Sequence, residues 1–187
     1  MIEFNDDAIQ RAETLLGGIK NALPTAASRA INRALGSARA EAVRAVRAEY
    51  TVAAGDVRKT MVITTARPTL LLGSIRATGG PIALSKFDVS PSRPNPKARN
   101  PVTVRVKKSS GRKVVKKAFL AEMSSGHIGV FKRAGKARLP IEQSFGPSVP
   151  QMLGAENVTQ KVEAKAQATL DKRMDHEISR ILDKGGV

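Results

Sequence analysis

Over residues 61–147 the apolar side chains recur at every second position, whereas on both flanks they recur at every third or fourth. A chain patterned this way is neither all helix nor all sheet. It predicts an α+β fold, with N-terminal helices and a long C-terminal helix packed on an antiparallel sheet made by the middle segment. The expected organisation is one domain over 1–187: helical over 1–60, β-rich over 61–147 with a Pro-rich loop at 90–101, and helical over 148–187. With no Trp and one Tyr, its core has to come from aliphatic residues and alanine.

Asn5-Asp6-Asp7 opens a first helix with Ile9, Ala12, Leu16, Ile19 and Leu23 on one stripe. Pro24 separates it from a second helix over 25–50, whose stripe is Ile31, Leu35, Ala38, Ala42, Val46 and Tyr50. Thr51 is placed to cap a third, short helix over 53–60. From Met61 a short strand leads to a hairpin over 70–84 that turns at Thr78-Gly79-Gly80. Residues 90–101 hold four prolines, which no sheet ladder tolerates. Val102 to Lys107 alternates cleanly, Ser109 to Arg112 is its turn and Lys113 to Met123 its return strand. Further strands are expected over 127–133 and 139–145.

Phe145-Gly146-Pro147-Ser148 reads as a structural corner leading to Pro150: Gly146 permits an unusual φ, Pro147 fixes the next one, and Ser148 caps a helical turn. Ser148 and Gln151 have capping-box spacing, and that turn should end at Gly154. In the last helix, 155–183, Val158, Val162, Ala166, Leu170, Met174, Ile178 and Leu182 step by four. Such a stripe drifts about 40° per step and winds around the helix. Val158, Val162, Leu170, Met174, Ile178 and Leu182 are therefore candidates for an interface between subunits.

The net charge of +16 is not spread evenly. Residues 1–55 are net +1, residues 56–140 net +16 with only Asp56, Asp88 and Glu122 as acids, and residues 141–187 net −1. The middle segment thus reads as a surface for a polyanion or an acidic partner. Its densest part is a hairpin carrying Lys107, Lys108, Arg112, Lys113, Lys116 and Lys117. That hairpin faces either DNA phosphates, without sequence preference, or an acidic protein patch.

Several chemistries lack their residues. Cysteine is absent, which excludes disulfides, thiolate metal sites and a cysteine nucleophile. His127 has no evident catalytic partner, and Asp175-His176-Glu177 point about 100° apart on a helix, so they cannot hold one metal. Phosphate-binding loops, nucleophile elbows and zinc motifs are missing. No enzyme activity, catalytic residue, metal or cofactor is expected. No apolar run approaches the roughly 20 residues of a membrane span, and Met1 to Asp7 lacks the features of a signal peptide.

Three stretches carry a resemblance: Leu23-Pro-Thr-Ala-Ala-Ser-Arg-Ala-Ile-Asn-Arg-Ala, Gly126-His-Ile-Gly-Val-Phe-Lys-Arg, and Arg138-Leu-Pro-Ile-Glu-Gln-Ser-Phe-Gly-Pro-Ser-Val-Pro-Gln. In this order the chain resembles, over roughly residues 8 to 183, the prophage minor tail protein Z family. These are tail completion proteins typified by the Z protein of phage lambda. The resemblance implies a non-enzymatic structural protein of a long-tailed phage or prophage. It would complete the head-proximal end of the tail for head–tail joining and DNA passage. It implies a place in the virion, assembly in the host cytoplasm, and partners among the terminator, tube and tape-measure proteins. By analogy it also implies a homo-oligomeric ring, six-fold for preference. A basic architectural nucleic-acid-binding protein is the alternative. A tail-associated peptidoglycan hydrolase is a third reading, which lacks paired carboxylates or a His-rich site.

Overall fold

The computed structural model describes residues 14–15, 22–95 and 100–185. The first expected helix therefore lies almost wholly outside the described residues. The described chain divides into two compact units, each built from separate stretches. The first draws on Met1–Ala45, Met61–Ala77 and Ala155–Val187, the second on Val46–Thr60 and Thr78–Gly154.

The first unit is helical with one β-hairpin. Helix α1 spans Ala22–Glu49, and its last residues count with the second unit. Pro24 does not precede this helix but sits in its first turn, where a missing N–H costs no helical bond. Ala26, Ala27, Ala30 and Ala34 are fully buried, while Arg29, Arg33, Arg44 and Arg47 point to solvent. The C-terminal helix, numbered α4 in chain order, spans Glu156–Gly185. Its Leu170, Met174 and Ile178 join the alanines of α1, together with Ile31, Leu35 and Ala66, in one core. Small residues on one helix and large ones on the other let the two surfaces interdigitate.

Strands β1 (Met61–Thr64) and β2 (Ser74–Ala77) pair antiparallel, with Ile63 opposite Ile75. Ile63, Leu71 and Ile75 pack on the helical core. Asn32 of α1 fixes the loop after β1 with a two-way amide bond. Its Nδ2 donates to the Ala66 carbonyl at 2.9 Å, and its Oδ1 accepts from the Ala66 N–H at 2.8 Å.

The second unit holds α2 (Ala54–Arg58) and eight short strands. Strand β3 (Pro81–Ala83) pairs with β10 (Phe145–Ser148) across a register shift. Strands β4 (Asp88–Ser90), β5 (Thr103–Arg105) and β6 (Lys113–Val114) form one three-stranded sheet. Strands β7 (Ala118–Glu122), β8 (Ile128–Arg133) and β9 (Ile141–Gln143) form another. The turn between β7 and β8 uses Gly126 at φ 76°, in the left-handed region that suits glycine. Helix α3 (Val149–Leu153) follows β10.

The α+β class expected from the pattern holds, but the middle makes four small antiparallel sheets instead of one. Two pairings and one helix cap also differ. The hairpin turning at residues 78–80 does not form, because β2 pairs back to β1 while β3 pairs with β10. Alternation marks a strand without naming its partner. The return strand over 113–123 is broken, because Lys117 adopts φ 56° and turns the chain. Its first part pairs with β5 and its second with β8. Thr51 does not cap α2, whose first residue is preceded by Ala53 with no side-chain cap. The Thr51 hydroxyl is engaged elsewhere, as described below.

Candidate functional site: a basic hairpin

The six basic residues singled out by the sequence fall on two adjacent turns. Lys107, Lys108 and Arg112 lie on the connection between β5 and β6, closed by the Ser110 N–H donating to the Lys107 carbonyl at 3.2 Å. Lys113 opens β6. Lys116 and Lys117 occupy the next turn, where the Ala118 N–H donates to the Val115 carbonyl at 3.2 Å. All six are exposed.

The base of the hairpin is fastened at two places. Beside its outgoing arm, the Thr51 N–H donates to the Val106 carbonyl at 2.9 Å and the Lys108 N–H to the Glu49 carbonyl at 2.7 Å. Tyr50 and Lys107 form an isolated bridge there, and Lys107 Nζ stands 5.7 Å from the centre of the Tyr50 ring, within cation–π reach. The other fastening is Asp88. It lies directly opposite Arg105 across the β4–β5 pair and accepts from Arg105 Nε at 3.1 Å and Nη2 at 2.8 Å. Its second oxygen accepts from Arg112. The Asp88 N–H donates to Thr51 Oγ1 at 3.2 Å, and that hydroxyl donates in turn to the Arg105 carbonyl.

Asp88 thus takes two of the arginines near the hairpin out of circulation. The sequence pattern does not bring Asp88 to the hairpin, and this clamp is visible only in the structure. The available signal was that Asp88 is the lone acid between Asp56 and Glu122. Among the described residues, Lys108, Lys113, Lys116 and Lys117 make no ion pair. They are four exposed cations on two adjacent turns. The whole second unit shares their sign: its stretches hold 18 basic and 5 acidic residues, net +13, against net +3 for the first unit.

The other residues singled out are placed as follows. Phe145 is exposed, and residues 145–148 are extended strand rather than an open turn. Gly146 does not have a positive φ. A side chain there would come within 2.8 Å of the Phe87 ring, so the glycine supplies room, not an unusual angle. Ser148 closes the capping box of α3: its Oγ accepts from the Gln151 N–H at 3.4 Å, and Gln151 Oε1 accepts from the Ser148 N–H at 2.9 Å. Pro150 stands in the first turn of α3, and Gly154 is its C-cap. Along α4, Val158, Val162, Leu170, Met174 and Ile178 are buried within the chain itself, and only Leu182 is exposed. The winding stripe is therefore covered by the chain's own core over most of its length. This removes the reason for reading five of the six as a contact with another subunit.

His127 is exposed and accepts at Nε2 from the side-chain amide of Gln143, 2.9 Å away. His176 is exposed on α4. Among the described residues no cluster of His, Asp and Glu is arranged to hold a metal, and no helix is long and apolar enough to cross a membrane. Phe87 and Phe131 are buried, and Phe119 packs 6.3 Å from Phe131 with the Arg133 guanidinium 5.2 Å from its ring centre.

The three sequence stretches that suggested a family all have structural duties here. The first supplies the alanine face of α1 and Asn32. The second makes the turn at Gly126 and strand β8, and the third runs from β9 into the capping box. The family model of prophage minor tail protein Z (GPZ) matches residues 5–184, nearly the whole chain. The chain belongs to this family. No curated protein and no solved structure matches it. As a prophage minor tail protein Z family member it is a structural protein of the phage tail, carried in the virion and interacting with other tail proteins.

Proposed function

We propose that this tail protein completes the head-proximal end of the tail, making it competent to join a head and pass DNA, and that it acts by contact alone. Its neighbours there are the terminator, the tube protein and the tape-measure protein, met during assembly in the host cytoplasm. It works as a homo-oligomeric ring, with six-fold symmetry by analogy to tails of this type. The observation that carries the reading is the concentration of charge: net +13 in one unit, with four exposed lysines, Lys108, Lys113, Lys116 and Lys117, on two adjacent turns.

Repeated around a ring, those lysines make a belt of positive potential facing the DNA path. Contacts to phosphate alone suit DNA that has to move, because base readout would hold it in place. The buried or engaged Phe87, Phe119 and Phe131 do not offer the stacking platform that a single-strand binder uses. The segment from Phe145 to Pro150, a strand that runs into the capping box, sets the start of α3 with no chemical role.

The combined substitutions Lys113→Ser, Lys116→Ser and Lys117→Ser test the reading. Complete tails should assemble and join heads, yet deliver DNA poorly. If tails fail to complete, the hairpin docks an acidic patch on a neighbouring tail protein and the DNA-facing placement is lost.

A further inference from the structure

In the sheet β7–β8–β9, strand β8 is central and β7 is an edge. The bonding pattern shows which way the β7 backbone points. The Met123 N–H donates to the His127 carbonyl at 2.9 Å, and Phe119 and Ala121 lie opposite Phe131 and Gly129. In an antiparallel ladder hydrogen-bonded pairs alternate, so Phe119 and Ala121 are bonded to β8 while Ala118, Leu120 and Glu122 turn their backbone groups outward. The Ser144 N–H donates to the Val130 carbonyl at 2.8 Å, which gives Val130 to β9 and fits this phase. The outward N–H of Ala118 is used in its own turn. The carbonyl of Ala118 and both groups of Leu120 and Glu122 have no partner among the described residues.

This edge lines a cleft of about 810 Å³ in the second unit. All of Ala118–Glu122 lines it, together with Pro91, Pro94, Asn95, Asn100, Pro101 and Val102. Pro91, Pro94 and Pro101 have no N–H to donate to the edge. An open row of outward donors and acceptors beside a cleft is the arrangement that accepts an added strand. The surrounding charge selects the occupant. Arg133 lines the cleft, Lys116 and Lys117 precede β7, Lys132 lies opposite Ala118, and Glu122 is the lone acid at the far end.

We propose that the β7 edge is a strand-addition site that takes up an extended segment of another tail protein in which acids alternate with apolar residues, its apolar side chains on the face of Phe119 and its acids on the face of Ala118, where Lys132 stands. The site goes beyond the completion role proposed above and shares Lys116 and Lys117 with the basic cluster. It commits the unit to a second kind of contact, made through main-chain bonds with charge choosing among strands.

The test uses the full chain and a labelled hexapeptide of alternating glutamate and valine, with a fully N-methylated copy of the same sequence as control. The unmodified peptide should bind, and the N-methylated copy should bind at least about tenfold more weakly, as expected for the loss of two or three backbone hydrogen bonds. Amide exchange should slow at Leu120 and Glu122 on binding, and at no other residue of β7. Equal affinity for both peptides would mean attraction by charge alone and overturn the proposal. So would unchanged exchange at Leu120 and Glu122. If instead the chain protects those two amides by self-association in the absence of peptide, the occupant is a second copy and the assignment to another protein fails.

Discussion

Asn32 does more than a helix residue of its type usually does. It stands in α1 and meets both the N–H and the C=O of Ala66, so one side chain satisfies two backbone groups that no ladder reaches. Ala66 is buried, so losing the amide leaves both groups without water or protein. Asn32→Ala should therefore lower unfolding stability by about 2 kcal/mol, read from urea denaturation. A loss below about 0.5 kcal/mol would mean that the loop finds other partners. Asp56 gives a residue-scale prediction with a pH signature. Lys59 bonds to it at 2.6 Å and Lys86 stands 3.8 Å away. The Lys59 hydrogen bond, aided by the charges of Lys86 and Lys59 and opposed by burial, holds its carboxyl below the usual value. A lowered folded pKa adds stability that is complete above about pH 4 and is lost as pH falls through the folded value. Asp56→Asn should thus cost less than about 1 kcal/mol at pH 7, since the lysines are exposed. Thermal melts of variant and parent should converge as pH drops below that range, and a constant gap across pH would remove the ion-pair explanation.

The two long helices show what an alternation of large and small residues achieves. Leu170 and Met174 of α4 are fully buried in the core that holds the alanines of α1. Leu170→Ala should cost about 2–5 kcal/mol, because the alanine backbone opposite has little to move into the void. Leu182→Ser, at a position 41% exposed, should change stability by less than about 0.5 kcal/mol. Denaturation midpoints of the two variants check both, and comparable losses would mean that Leu182 belongs to the core. Much of this was legible in the sequence. The four-residue steps from Val158 to Ile178 mark the buried face of α4, and Ser148 with Gln151 marks the start of α3. The cover over the α4 stripe was not legible, because alanines on α1 carry a weak hydrophobic signal whichever way they point. Strand partners were illegible for another reason. Nothing local in Ser74–Ala77 distinguishes a partner at residues 61–64 from one at 81–83. The Lys117 turn, in a run of basic and β-branched residues, has no glycine to announce it. For the candidate site, the lysines were evident as a cluster, whereas the Asp88 clamp depends on a strand pairing across 17 residues.

At the scale of the molecule, the chain passes between its two units at residues 45–46, 60–61, 77–78 and 154–155. No single cut separates them, and α1 itself contributes to both. We propose on this ground that the units unfold together as one domain. Calorimetry should show one transition whose calorimetric and van't Hoff enthalpies agree. Two resolved transitions would show that the units are independent.

The same threading has a consequence for how the protein is made. Ala30 and Ala34 leave the ribosome early, but Leu170 and Met174, which cover them, follow about 140 residues later. At ordinary rates of synthesis that is roughly 7–30 s during which the alanine face lacks the large side chains of α4. The stretch 78–154, by contrast, carries all the ladders of its own unit and emerges without interruption. The basic unit can thus be shaped while the helical one is still waiting for its last helix, so the tail protein is exposed to misassociation through its N-terminal helix until translation is nearly finished.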